Sequence, residues 1–187
     1  MRRETVKMKV KYDTLTNNIN WSFGNAWLSK KELWKRVYTY NTIKFLATIA
    51  VGKTLNICCG LDPTGDVKAD IDIAILKQQK TNFGGGQYIR CDLHHLPFKP
   101  LSFDTVICDP PFNYYNKFKW VQKLANLARQ RLILSTPAIC IKLGKEWDKR
   151  YFAIETGGIF LRLWQVFFRR GSPPCKQLDY WSAVEVE

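Results

Sequence analysis

The segment from Phe103 to Cys108 constrains the fold more than any other part of this sequence. It is a short, largely apolar stretch that ends abruptly at Asp109, Pro110 and Pro111. A strand of this kind is typical of a parallel sheet that is covered on both faces. Because parallel strands need crossover connections, the pattern predicts an α/β fold in which strands alternate with helices.

Further short strands and helices are indicated on both sides of this segment. Strands are predicted over 53–58, 67–71, 87–91 and 131–135, and a helix over 120–129. Near the C-terminus, 151–155 and 159–168 flank a Thr-Gly-Gly turn signal, which predicts an antiparallel hairpin. Residues 1–20 are predicted to be irregular, whereas apolar residues recur at helical spacing from 25 to about 50. We therefore expect one globular domain over 51–187 and a basic helical extension over 1–50 that packs on it.

Length and composition exclude several classes of protein. The chain has 187 residues, of which 46% are hydrophobic and 14% aromatic, enough for one domain with a sizeable core. This content argues against intrinsic disorder, and no apolar run approaches the ~18 residues of a membrane span. The start, Met1-Arg2-Arg3-Glu4, lacks the apolar stretch of a secretory signal, so we expect an intracellular, cytoplasmic protein.

The chain is strongly basic, with 29 Lys and Arg against 16 Asp and Glu and a net charge of +13. The excess is +7 in residues 1–50, +6 in 51–150 and zero in 151–187. Positive charge concentrated in part of a folded chain is typical of proteins that bind polyanions, so nucleic acid is the expected partner. A solvated basic face without a partner is the alternative.

The six cysteines show neither the spacing of a zinc site nor that of a disulfide scaffold. No C-x-x-C motif is present, and the only two histidines, His94 and His95, are adjacent in the sequence. Since most of the cysteines lie in apolar stretches, we expect reduced, structural thiols and no bound metal.

The tetrapeptide Asp109-Pro110-Pro111-Phe112 carries the strongest chemical signal. Proline has no backbone N–H, so the main chain here offers only carbonyl acceptors, and an ionised Asp109 adds two more. Phe112 adds a flat apolar face. Such a site suits a planar group whose NH₂ donates two protons, and the exocyclic amine of a nucleobase is such a group.

The amine of a nucleobase is a poor nucleophile because its lone pair is delocalised into the ring. Acceptors on both N–H bonds, one from Asp109 and one from a carbonyl such as that of Pro110, would favour a pyramidal nitrogen with a directed lone pair. Alignment of that lone pair with an activated methyl group could contribute about 7–11 kcal/mol. Stacking of Phe112 on the base would add about 1–3 kcal/mol, and a base in a duplex would first have to be flipped out.

The Asp-Pro-Pro-Phe sequence resembles the catalytic motif of the S-adenosylmethionine-dependent amino-methyltransferases, which act on adenine N6, cytosine N4 or guanine N2. A second segment, 54–63, resembles the first motif of Rossmann-like methyltransferases, a hydrophobic strand that runs into a turn of small residues. The resemblance covers residues 53–168 and implies a Rossmann-like methyltransferase fold, a mainly parallel seven-stranded sheet with a C-terminal antiparallel hairpin. It also implies S-adenosylmethionine as the cofactor and makes 51–187 the catalytic domain.

The resemblance assigns roles to residues at the ends of four predicted strands. At Gly60 a side chain would intrude on the methionine end of the cofactor. The acidic residue that binds both ribose hydroxyls corresponds to Asp70. The acidic residue that contacts the adenine amino group corresponds to Asp92, and the backbone amide that contacts the adenine ring corresponds to that of Leu93. The implied cofactor-binding residues are Asn56, Cys58, Gly60, Asp70, Ile71, Asp92 and Leu93. The implied catalytic residues are Asp109, Pro110, Pro111 and Phe112.

The cofactor segment departs from the usual G-x-G-x-G pattern. Cys58 replaces the first glycine and Asp62 the third, and only a few residues separate Gly65 from Asp70. That spacing is too short for the usual crossover helix. It also argues against a dinucleotide site, where the acidic residue follows after about 20 positions. Asp70 is favoured for the ribose, with Asp72 as the alternative.

Residues beyond the Asp-Pro-Pro-Phe motif are candidates for contacts with the substrate. Asn113 and Tyr114 could form one wall of a base pocket, and Lys117 and Lys119 could contact phosphates. Loop packing and a solvated basic face are the alternatives.

The sequence as a whole predicts methyl transfer to a nucleobase amine in DNA or RNA, with adenine N6 preferred. Methylation of protein glutamine usually goes with Asn-Pro-Pro-Tyr, and a small-amine substrate would not require a basic surface. A non-catalytic subunit that binds nucleic acid or cofactor is a further alternative, against which the intact Asp109 argues.

Overall fold

The computed structural model describes residues 9–13, 18–23, 40–111, 119–136, 141–155 and 162–173. Nine strands and three helices lie within these residues. In chain order they are β1 (Lys9–Asp13), β2 (Asn18–Phe23), α1 (Tyr40–Ile49), β3 (Thr54–Ile57), β4 (Val67–Asp70), α2 (Ile73–Phe83), β5 (Gln87–Arg90), β6 (Phe103–Cys108), α3 (Lys119–Leu127), β7 (Ala128–Thr136), β8 (Trp147–Glu155) and β9 (Arg162–Arg169).

The strands form one sheet in the order β1-β2-β8-β9-β7-β6-β3-β4-β5. The strands from β7 to β5 run parallel to one another, and β9 runs antiparallel to both β7 and β8. The seven strands from β8 to β5, with their C-terminal antiparallel pair, confirm the predicted fold class. The Thr-Gly-Gly turn signal between β8 and β9 lies outside the described residues.

Two N-terminal strands extend the sheet beyond the predicted seven. β2 pairs in parallel with β8, and β1 pairs antiparallel with β2. The prediction of irregular structure over residues 1–20 is therefore wrong for β1 and for the start of β2, and the extension is not helical throughout. Both strands alternate apolar and polar residues, as in Val10-Lys11-Tyr12, which is the period of a strand. Pairing along the edge of β8 outweighs the turn preference of the neighbouring asparagines.

The predicted N-terminal helix is present in part. α1 covers Tyr40–Ile49, and residues 24–39 lie outside the described part of the chain. Phe45, Leu46 and Ile49 of α1 are buried, so this helix packs on the rest of the molecule. No helix in the described residues is long and apolar enough to cross a membrane.

The main hydrophobic cluster lies between α3 and the sheet. α3 buries Trp120, Val121 and Leu124, which share one side of the helix. They pack with alternate residues of the central strands, such as Leu55 of β3 and Val106 of β6. α3 ends at Leu127 and β7 begins at the next residue, so the predicted helix is two residues too long at its C-terminus.

The connection between β3 and β4 contains no helix, as the spacing in the sequence predicts. Nine residues, 58–66, join these two parallel strands, and we refer to them as the 58–66 loop. Parallel strands are usually joined by a dozen or more residues that include a helix. The loop is therefore short, and it lies directly at the carboxyl end of β3.

Candidate functional site

The predicted site residues lie at the carboxyl ends of four neighbouring strands. β3 and β6 are paired so that Ile57 lies opposite Cys108, which brings the residues that follow them, Cys58 and Asp109, to the same edge. Asp70 ends β4, and Asp92 follows shortly after the end of β5. The carboxyl edge of an open parallel sheet is where α/β folds bind their ligands.

The 58–66 loop begins with a sharp turn. Cys58 and Gly60 have φ angles of 54° and 52°, both in the left-handed region. Glycine adopts this conformation freely, whereas a residue with a Cβ does so at a cost of about 1–2 kcal/mol. The Gly60 N–H donates to Asp70 Oδ2 at 3.2 Å. This hydrogen bond ties the turn after β3 to the end of β4.

Asp70 is only 3% exposed, and both of its carboxylate oxygens accept backbone hydrogen bonds. Oδ2 accepts from Gly60, and Oδ1 accepts from the Asp72 N–H at 3.0 Å. Each carboxylate oxygen has a second lone pair, so Asp70 keeps the capacity to accept two further donors. The alternative residue, Asp72, is exposed, and its side chain accepts the Ala74 N–H and caps α2. Ile71, between them, is 52% exposed.

Asp92 is a half-buried carboxylate beyond the end of β5. The His94 backbone N–H donates to its Oδ1 at 2.8 Å, and His95 Nδ1 lies 3.6 Å from its Oδ2. The hydrogen bond from His94 is the main reason that the pKa of Asp92 lies below its ordinary value. Asp92 is therefore an ionised acceptor at neutral pH. Leu93 is buried in the cluster under α3.

The Asp-Pro-Pro segment begins directly after the last residue of β6. Asp109 is half-buried, Pro110 is buried and Pro111 is exposed. Lys119, the first residue of α3, is exposed as well. The remaining predicted catalytic and substrate residues, Phe112, Asn113, Tyr114 and Lys117, lie outside the described residues. Their roles stay predictions.

A polar cluster holds the 58–66 loop: the buried side chains of Asn56 and Gln79 bond to the buried Asp62 and the half-buried Thr64 of the loop. Asn56 Nδ2 donates to Asp62 Oδ2 at 2.7 Å and to the Thr64 carbonyl at 3.1 Å. The Thr64 N–H and hydroxyl both donate to Asp62 Oδ1. Gln79 Nε2 donates to the backbone carbonyls of Gly60 and Asp62. Asn56, which was predicted to bind the cofactor, is fully buried in this cluster.

Sequence reasoning missed the part that Gln79 plays in this cluster. The signal was available, because Leu76 and Gln79 are three residues apart on α2 and are its two buried side chains. A polar residue that continues the buried side of a helix needs a hydrogen-bond partner inside the protein. Which partner it finds depends on the 58–66 loop, whose path the helical spacing does not reveal.

Asp62 is a fully buried carboxylate, and its burial changes its protonation equilibrium. Burial raises its pKa from 3.8 to about 6, although hydrogen bonds from Thr64 and Asn56 and the nearby Lys68 act in the opposite direction. The folded protein therefore holds a proton on Asp62 more tightly than the unfolded chain does. This group stabilises the fold fully below the unfolded pKa, and the contribution is lost as the pH rises through about 6.

Asp62→Asn should remove this pH dependence. The asparagine carries no charge at any pH in this range, and its remaining oxygen can still accept the hydrogen bonds from Thr64. Raising a pKa by about two corresponds to about 3 kcal/mol. Between pH 4 and pH 7 the free energy of unfolding of the wild type should therefore fall by about 2–3 kcal/mol relative to that of the variant. Urea unfolding at several pH values in that range measures the two free energies. If they change with pH in parallel, the effect of burial on the pKa of Asp62 is contradicted.

Four free cysteines lie near the same edge of the sheet, namely Cys58, Cys59, Cys91 and Cys108. Burial is the main reason that the pKa of Cys91 is raised to about 11 and that the pKa values of Cys59 and Cys108 lie well above the ordinary value. These three thiols are protonated at neutral pH. Within the described part of the chain, no three His, Cys, Asp or Glu side chains are grouped so that they could hold a metal ion.

Several solved structures are similar to this chain. Magnesium protoporphyrin IX methyltransferase (ChlM) from Synechocystis PCC 6803, solved with bound SAH, has a TM-score of 0.58 and 14% identity, over 78% of this chain and 90% of that one. The PH0226 protein from Pyrococcus horikoshii OT3 has a TM-score of 0.53 and 16% identity, over 76% of this chain and 93% of that one. TrmN from Thermus thermophilus has a TM-score of 0.51 and 18% identity, over 69% of this chain but only 47% of its own.

Comparison at the level of sequence gives no match. No protein-family model matches the chain, and no curated protein matches it. The structural similarities, together with the order and direction of the strands from β8 to β5, show that the chain has the Rossmann-like methyltransferase fold.

Proposed function

We propose that this protein is an S-adenosylmethionine-dependent methyltransferase that acts on an exocyclic amine of a nucleobase in DNA or RNA. The observation that carries the proposal is the pairing of β3 with β6, which sets the 58–66 loop beside Asp109. A turn suited to the cofactor and an acceptor-only segment suited to an amine thus share one edge of the sheet. The structures of ChlM, which has the same fold, contain SAM or SAH, and this supports the choice of cofactor.

The strand ends carry groups that fit S-adenosylmethionine. Asp70 would accept hydrogen bonds from the ribose hydroxyls, and the ionised Asp92 would accept one from the adenine amino group. The side chain of Ile71 is exposed, and it would offer an apolar surface to the adenine ring. The left-handed turn at Cys58 and Gly60 presents backbone to the methionine end. The bound cofactor supplies a methyl group activated by its positively charged sulfur.

The Asp-Pro-Pro segment would hold the amine that receives the methyl group. Asp109 would accept one N–H of the amine, and the Pro110 carbonyl would accept the other. Neither Pro110 nor Pro111 has a backbone N–H, so the local main chain offers the amine nitrogen no competing donor. With both N–H bonds accepted, the nitrogen becomes more pyramidal and its lone pair is directed away from the ring. The Asp109 carboxylate can take up the proton that the amine loses.

The basic character of the chain supports a nucleic acid as the carrier of that amine. The net charge is +13, with excesses of +7 and +6 in residues 1–50 and 51–150. Lys119 and Lys123 are exposed on α3, the helix that follows the Asp-Pro-Pro-Phe segment. Lys123 also donates to the His94 carbonyl at 2.7 Å, beside Asp92. These lysines are our candidates for contacts with the phosphates that flank the target base.

Two alternatives share the cofactor but differ in the methyl acceptor, and a third is not catalytic. A glutamine side chain or a small amine also has an NH₂ that could use the Asp109 and Pro110 acceptors. Neither requires an excess of positive charge, which is why we favour a polyanion. A subunit that binds nucleic acid without catalysis would not need a carboxylate at the end of β6.

A methyl-transfer assay tests the proposal directly. The purified protein should transfer a labelled methyl group from S-adenosylmethionine to total DNA or total RNA. Digestion to nucleosides and mass spectrometry would then identify the base, for which we expect N6-methyladenine. Excess SAH should suppress the label as a control. Label only in protein or in a small amine would contradict the nucleic-acid assignment, and failure to bind SAH would contradict the cofactor assignment.

A further inference from the structure

The 58–66 loop lacks the helix that usually follows the first strand of a parallel sheet and stabilises the turn. Its shape must therefore be held by other contacts. β3 supplies Asn56 from beneath, and β4 supplies Lys68, whose Nζ donates to the Gly65 carbonyl at 2.8 Å. At the turn, the Gly60 N–H is held by Asp70 of β4, and the Gly60 carbonyl is held by a side chain of α2.

That side chain is the amide side chain of Gln79. The side chain is fully buried, and its Nε2 donates to the Gly60 carbonyl at 3.0 Å and to the Asp62 carbonyl at 2.7 Å. Both partners are backbone oxygens that only accept, so the NH₂ end of the amide must face the loop. Gln79 Oε1 is buried with no hydrogen-bond partner in the described residues, which indicates that the side chain is present for its donors.

We propose that Gln79 is a positioning residue for cofactor binding, which acts by holding the backbone of Gly60 and Asp62 against α2. The inference rests on the proposed function, because it takes the 58–66 loop as the part that receives the methionine end of the cofactor. The backbone of Gly60 links Gln79 on α2 to Asp70 at the end of β4. Its carbonyl accepts from Gln79, and its N–H donates to Asp70, the residue assigned to the ribose. Loss of the Gln79 donors would let the turn and the Asp70 carboxylate move together.

Gln79→Met tests this role, because methionine has a similar length but no donor. We expect the KM for S-adenosylmethionine and the Kd of SAH to rise at least tenfold, with a smaller fall in kcat. The matched control is Gln78→Met, since Gln78 is the exposed neighbour on the same helix and should leave both constants within twofold of the wild type. A Gln79→Met variant that melts at a lower temperature but keeps the wild-type KM and Kd would overturn the proposal.

A second measurement on the unmodified protein covers the case in which Gln79→Met does not fold. In the ¹⁵N-labelled wild type, the Gln79 side-chain NH₂ should be protected from solvent exchange and should shift when SAH binds. An NH₂ signal that exchanges freely or does not respond to SAH would overturn the proposal. If the wild type does not bind SAH at all, the proposed cofactor is wrong. If the wild type binds SAH but the Gln79 signal does not change, only the role of Gln79 is wrong.

Discussion

Asp109→Ala should lower the kcat for methyl transfer by about 10³-fold while S-adenosylmethionine still binds. The alanine removes the acceptor for one N–H of the amine, so the nitrogen stays planar and its lone pair stays in the ring. Asp70 and Asp92, which we assign to the cofactor, lie at the end of β4 and beyond β5, and backbone N–H groups of Asp72 and His94 hold their carboxylates. The kcat is measured with saturating cofactor and labelled methyl groups, and cofactor binding by calorimetry with SAH.

Asp109→Asn tests whether the second carboxylate oxygen of Asp109 is needed. The amide keeps one acceptor but places an NH₂ donor where the second carboxylate oxygen was, so it should be nearly as inactive as the alanine variant. The Kd of SAH should stay within about twofold of the wild type in both variants. Activity above a tenth of the wild-type value in Asp109→Ala would contradict the proposed role of this residue.

Asp70→Ala should raise the Kd of S-adenosylmethionine about 100-fold. Hydrogen bonds to a charged group contribute about 1.5–3 kcal/mol each, and the variant loses the assigned contacts to the ribose. It also releases the N–H groups of Gly60 and Asp72, which hold the turn after β3 and the start of α2. Calorimetry with SAH and with S-adenosylmethionine gives the two affinities.

Asp72→Ala is the matched control, because Asp72 is two residues away and exposed. Its carboxylate caps α2 through the Ala74 N–H, so its loss should lower stability by about 0.5–2 kcal/mol. The Kd of the cofactor should change less than about threefold. If Asp72→Ala weakens the cofactor more than Asp70→Ala does, the ribose contact belongs to Asp72.

The central strands could be predicted closely because burial on both faces leaves little ambiguity. β6 has the predicted bounds, 103–108, and only Asp104 in it is not fully buried. β4, which is buried throughout, is within one residue of its predicted end. β5 is also within one residue of its predicted end, although it is the partly exposed edge strand. The absence of a helix between β3 and β4 also followed from spacing alone, because too few residues are available to form one.

The N-terminal strands were missed because their pairing is a long-range property. β2 pairs with β8, which lies more than a hundred residues later in the chain. Short segments such as Lys9–Asp13 have a weak strand signal by themselves, and the hydrogen bonds of a neighbouring strand decide between strand and loop. Nothing local to residues 1–20 identifies that neighbour.

The sequence by itself determined which residues end up at the carboxyl edge of the sheet. Asp109 was identified from the residues themselves, because it directly follows an apolar strand and precedes two prolines. Asp70 and Asp92 were assigned through the resemblance, at or just beyond the ends of predicted strands. Strand order and register, which place Cys58 beside Asp109, could only be expected from the resemblance. The tertiary structure decided how the 58–66 loop is held, through Asn56, Asp62, Thr64 and Gln79. Those contacts join residues up to 19 positions apart across three elements, and only the packing of α2 against the loop brings their polar atoms within hydrogen-bond distance.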